Sequence, residues 1–78
     1  MAAKLIPLIA AVLGVDPATI DDDSDATTQP RWDSAAEVEL AMMLEHEFGI
    51  SIGEREMETL ISVRAIRATL AKHGVTPD

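Results

Sequence analysis

Between residues 32 and 49 the sequence WDSAAEVELAMMLEHEFG carries the longest run of helical periodicity in the chain, with no internal Gly or Pro and a Gly at its end. Ala36, Leu40, Met43, Leu44 and Phe48 follow the spacing of one apolar stripe, which predicts the core face of a helix. Val38 and Met42 lie about 160–200° from Leu40 on a wheel turning about 100° per residue, so they point at solvent or at a partner. Asp33 and Ser34 stand at the start of this pattern. Both residue types make good N-caps, and Ser34 with Glu37 reads as a capping box.

The same reasoning organises the flanks. Leu5, Ile9, Val12 and Leu13, with Leu8 beside them, predict a first helix closed by Gly14. Pro7 is tolerated only in a first turn, so this helix starts near Ala3 or at Pro7 itself. After Gly49, the residues Ile50, Ser51, Ile52 and Gly53 alternate too briefly for a strand and read as a connector. Residues 54–60 predict a short helix with Met57, Leu60 and Ile61 facing inward, sustained by packing rather than by its own length. Ser62 then caps a last helix whose stripe is Val63, Ile66 and Leu70, ended by Gly74 and Pro77. The expected fold is all-α, a small four-helix bundle with a long loop between helices one and two and a short third helix.

That loop, residues 15–31, reads VDPATIDDDSDATTQPR, with only Val15 and Ile20 as apolar anchors. Asp21, Asp23 and Asp25 have the first spacings of a calcium-binding loop. The rest of the motif is missing: Ala26 stands where Gly is needed, Trp32 where a bidentate Glu is needed, and no helix directly precedes. A solvated acidic turn accounts for these residues more simply. Trp32 reads as a packing staple in preference to a docking residue.

The Asp-Ser pair at a helix start, followed by V-E-L, M-x-L-E-x-E-F-G-I and the S-V of the last helix, resembles the acyl and peptidyl carrier proteins. This resemblance covers essentially the whole chain and implies a single carrier domain over residues 1–78. It also implies that Ser34, next to Asp33, is esterified to 4′-phosphopantetheine derived from coenzyme A, whose thiol carries acyl or aminoacyl groups as thioesters. A phosphodiester there would meet free backbone amides and the positive end of the helix dipole. The resemblance further makes the second helix the surface that partners read, with Ala35, Val38 and Met42 apolar and Glu39 and Glu45 as an acidic rim. It makes Ile20 a pin for the long loop, and sets Ile52 and the LISV stretch beside the carried chain. The expected partners are a phosphopantetheinyl transferase and acyl- or aminoacyl-loading enzymes with basic docking surfaces. Two positions depart from the family pattern. Ala35 replaces a customary Leu after the serine, and Arg64 and Arg67 give the last helix a basic stripe that favours polyketide, nonribosomal peptide or related specialised biosynthesis over bulk lipid synthesis.

Composition narrows the remaining readings. A chain of 78 residues buries only about 60% of its unfolded surface, and with 3% aromatic residues its core must be aliphatic. The absence of Cys excludes disulfides, thiolate metal sites and a cysteine nucleophile, and suits a cytoplasmic setting. The apolar run AAKLIPLIAAVL contains Pro7 and is too short to span a bilayer, so it reads as a core helix. A net charge of −8 argues against nucleic acid and anionic membranes as ligands, and a monomer is expected. A hydrolase built on Ser34 and His46 fails on geometry, since twelve residues of one helix separate them by roughly 18 Å. The chain has no G-x-S-x-G, Gly-rich phosphate loop or H-E-x-x-H. The chain is therefore read as a non-catalytic carrier. The reading from another class is a four-helix interaction module that keeps the scaffold without the prosthetic group.

Overall fold

Nine residues, Leu5–Leu13, form α1 in the computed structural model, which describes residues 4–77. Pro7 falls in the first turn, where its missing N–H would have had no helical partner. The helix thus begins between the two expected starts, and Ala3 lies outside the described residues. Gly14 closes it at φ 70°, a left-handed conformation that a side chain would strain, and its N–H bonds back to the α1 carbonyls. The acidic loop then makes a single 3-10 turn at Pro17–Thr19 that the pattern of apolar residues did not signal. Asp16 caps it, its carboxylate accepting the Ala18 N–H at 2.9 Å.

Helix α2 spans Ser34–Phe48 and ends at Gly49, again left-handed at φ 64°. The capping box expected of Ser34 and Glu37 does not form. Asp33 takes the extended cap conformation and its Oδ1 accepts the Ala36 N–H at 2.9 Å, which makes Ser34 the first helical residue. One cap position exists per helix, and the carboxylate one residue earlier occupies it. The short third helix, α3, is only Glu54–Met57, three residues less than expected. α4 runs Val63–Lys72, capped by the Ser62 hydroxyl, which accepts the Ala65 N–H at 3.0 Å.

Apart from Trp32 the core is aliphatic, and it draws on every long helix. Leu5 and Ile9 from α1, Leu40 and Leu44 from α2, and Val63, Ile66 and Leu70 from α4 are fully buried, together with Leu60. Each such side chain contributes about 1.5–3 kcal/mol relative to remaining in water. Ile20 is buried against them and pins the long loop. On α2 the buried arc is turned toward Ala41, which is in the core, leaving Met43 and Phe48 half-buried at its edges.

Ile61 corrects the expected inward cluster of Met57, Leu60 and Ile61: it is 49% exposed. The helix ends at Met57, the chain turns through Glu58 and Thr59, and the Ile61 N–H bonds back to the Thr59 carbonyl at 2.8 Å, so the helical stripe does not carry on to residue 61. Leu60 is buried and Ile61 faces out. Ser62 is extended and forms an isolated antiparallel bridge with Asp25. The bridge also fastens the loop, through Ala26 N–H to the Ile61 carbonyl at 2.9 Å and Val63 N–H to the Ser24 carbonyl at 3.1 Å.

Candidate functional site

Ser34 sits exposed on the first turn of α2, and its hydroxyl makes no hydrogen bond to another described residue. The backbone amides of Ser34 and Ala35 precede the first intrahelical bond and likewise have no partner among the described residues. An exposed nucleophilic oxygen beside two free N–H groups at the positive end of a helix suits a phosphoester. The approach to this residue is rigid. Two positions earlier, Trp32 is 3% exposed and its indole N–H donates to the Leu60 carbonyl at 2.9 Å. Packing, the preferred reading of this Trp, is what the structure has, and it ties the start of α2 to the segment between α3 and α4.

Along α2, Ala35 and Glu39 are exposed, Val38 is 43% and Met42 64% exposed, all on the side away from Leu40 and Leu44. Glu45 lies toward the far end of this helix. It is half-buried, and its Oε2 accepts the Ile52 N–H at 2.8 Å, bracing the connector after α2. The physical reason is local: Gly49 turns the chain back, and Ile52 itself packs on the core, bringing an otherwise unpaired amide over the last turns of α2.

The charges of the acidic loop are largely used within the chain. Asp22 pairs with Arg67 at 3.2 Å and Asp23 with Arg64 at 2.7 Å. The basic stripe on α4 therefore answers the loop, and its sequence reading as a pathway signature has this simpler structural cause. Asp21 accepts the Asp23 N–H, and Asp25 accepts the Thr27 hydroxyl and amide and the Thr28 amide, bonds that hold the Asp25 carboxyl below its ordinary range. Among the described residues no group of three His, Asp or Glu is arranged to hold a metal ion.

Neither histidine approaches Ser34. His46 is exposed twelve residues further along α2, and His73 at the end of α4 bonds to Glu56 of α3 at 3.0 Å. The hydrogen bond from His73 lowers the Glu56 carboxyl below its ordinary value. One feature was missed from sequence: an open groove of about 350 Å³ between α1 and α2, lined by Ala11, Val12, Glu39, Met42 and Met43. The consecutive Met42 and Met43 were its one visible signal, since two adjacent residues on a helix cannot both lie at the centre of one core stripe.

The described residues thus form a four-helix bundle with an exposed serine at the start of its second helix. Residues 3–70 match the family model described as phosphopantetheine attachment site. The chain is 34% identical over 73 residues to an acyl carrier protein of Syntrophobacter fumaroxidans, covering 94% of this chain and 90% of that protein. It is 35% identical over 63 residues to an acyl carrier protein of Thermosynechococcus vestitus, covering 81% and 78%. To polyketide-8 synthase acyl carrier protein 2 of Streptomyces avermitilis it is 33% identical over 61 residues, covering 78% and 70%. The chain belongs to the acyl carrier protein family, whose prosthetic group is covalently attached phosphopantetheine. Members of this family are carriers, generally without catalytic activity of their own, and engage a phosphopantetheinyl transferase and acyl-handling enzymes. No helix among the described residues is long and apolar enough to cross a membrane.

Proposed function

We propose that Ser34 is the attachment residue and that residues 1–78 act as a monomeric cytoplasmic carrier of acyl or aminoacyl groups. The observation that carries this reading is the Ser34 hydroxyl, exposed and without a hydrogen-bond partner among the described residues, one residue after the Asp33 cap and inside the matched span. The attached group supplies a terminal thiol that holds acyl cargo as a thioester. What the chain supplies is placement. Asp33 caps α2 through the Ala36 amide and leaves the amides of Ser34 and Ala35 free for phosphate oxygens, while the Trp32 indole and the Leu60 carbonyl fix the entry to the helix. Val38 and Met42, with Ala35 and Glu39 beside them, form the face that incoming enzymes meet, and Glu45 supports it from its end through Ile52. A polyketide synthase carrier among the relatives supports a place in specialised biosynthesis.

The test is intact mass after incubation with coenzyme A, magnesium ion and a broad-specificity phosphopantetheinyl transferase. The parent gains one phosphopantetheinyl group, and Ser34→Ala folds but gains none. A modified Ser34→Ala variant would sink the site assignment. A parent that several transferases leave untouched would favour the unmodified interaction module.

A further inference from the structure

A hydrocarbon tail carried on an arm from Ser34 would leave water for any apolar interior open to it. The interior nearest the serine is the core beneath the start of α2, where Ala36 and Leu40 are buried. Leu60 and Val63, which follow α3, belong to the same buried cluster. The place expected for the carried chain, beside Ile52 and residues 60–63, is therefore the seam between α2 and this segment.

Trp32 stands across the end of that seam nearest Ser34. Its ring is buried in the cluster and its indole N–H donates to the Leu60 carbonyl at 2.9 Å, so one side chain joins the entry of α2 to the opposite wall. Leu40, Leu44, Leu60 and Val63 are fully buried. At the other end the Glu45 carboxylate accepts the Ile52 N–H at 2.8 Å and holds the connector onto α2. A tail entering past Trp32 must part the indole from the carbonyl, and a hydrocarbon offers neither group a new partner. It must also force methylenes into a packed interior, which strains the side chains around them. Trp32 therefore opposes entry through its hydrogen bond as well as through its bulk.

We propose that Trp32 is a specificity-determining residue of this carrier, closing the core to the cargo so that the carried group stays in water. The cargo class that this suits is short acyl groups and those bearing hydroxyl, keto or amino functions. The proposal rests on Ser34 being the attachment residue, and its test separates the two. The probe is a series of acyl-coenzyme A thioesters, acetyl to decanoyl, from which a broad-specificity phosphopantetheinyl transferase loads the acylated arm. Thermal unfolding of each loaded carrier is followed by circular dichroism. Tm of the parent should stay within about 2 °C across the series, against about 3–6 °C for each methylene that became buried. Cleavage of the thioester by hydroxylamine should proceed at one rate throughout. Trp32→Leu, a smaller apolar side chain without the N–H, should instead gain Tm as the tail lengthens, and so should Trp32→Ala. A Tm that climbs with chain length in the parent would overturn the proposal, and so would a flat series in a folded Trp32 variant. If neither variant folds, the parent series decides alone. A parent that the transferase does not load removes the attachment reading. Ser34→Cys, the only thiol in a chain without Cys, then takes the same alkyl tails as disulfides, and a flat or climbing Tm judges the seam as before.

Discussion

Replacing Trp32 by Phe tests whether the approach to Ser34 is held by one buried hydrogen bond. The indole N–H is the donor given to the Leu60 carbonyl, at 2.9 Å, and that carbonyl has no other donor among the described residues. Leaving a buried carbonyl unsatisfied costs about 1–3 kcal/mol. Phe also forfeits roughly 40 Å² of buried ring, about 1 kcal/mol at about 25 cal/mol per Å². The expected loss is therefore about 2–4 kcal/mol, a large part of the roughly 5–15 kcal/mol that small domains possess. At about 4–8 °C per kcal/mol for a chain of this size, Tm should fall by about 8–32 °C. Urea and thermal unfolding followed by far-UV circular dichroism give both numbers, since the variant has no indole to follow. A loss below about 0.5 kcal/mol, the range of an ordinary surface change, would show that water or a shifted backbone satisfies Leu60 and that Trp32 is not the fastener.

The other predictions are smaller in scale. Met42→Ala, at a side chain 64% exposed, should cost well under the roughly 2–5 kcal/mol of a buried Met yet slow turnover by partner enzymes; a stability loss in that range would make Met42 a core residue. Ala35→Leu adds about three carbons on the exposed face and should strengthen transferase contact by roughly 1–2 kcal/mol, about tenfold in efficiency at limiting carrier, with folding unchanged; equal or lower efficiency refutes this. The carboxyls of Asp25 and Glu56 titrate below their ordinary values in the folded chain, so the stability they contribute is complete above about pH 3.8 and 4.5 respectively and is lost as pH falls through the lowered folded values. Urea midpoints measured from neutral pH down to about pH 3 should decline, and Glu56→Gln should flatten that decline; an unaltered slope would mean that the His73 contact is not formed in solution.

What could be read from the sequence was what depends on neighbours along the chain. The apolar stripes of α2 and α4, the glycine stops and the outward Val38 and Met42 follow from helical spacing alone, and Ser34 at the start of α2 was visible for the same reason. The readings that changed depend on contacts across the chain. That Glu45 braces the connector was not legible, because its partner, the Ile52 amide, has no sequence signal. Arg64 and Arg67 looked like free basic charge because Asp22 and Asp23 lie more than forty positions away. Ile61 looked like core because a helical wheel was carried past Met57, where the helix ends and the chain turns. The Ser34 capping box failed on a single-residue ambiguity, two cap-forming side chains in succession.

Apart from the buried Ile20, the long loop is fastened chiefly by residues that follow α3. Ser24 and Ala26 bond to the backbone at Val63 and Ile61, Trp32 to Leu60, and Asp23 and Asp22 to Arg64 and Arg67. During synthesis α1 and α2 emerge before the residues that lock the chain leading into Ser34. Contacts this far apart in sequence also carry a loop-closure cost that local helical contacts do not. The setting of the serine therefore depends on residues 60–67 having folded back onto the loop, however well α1 and α2 have formed before them.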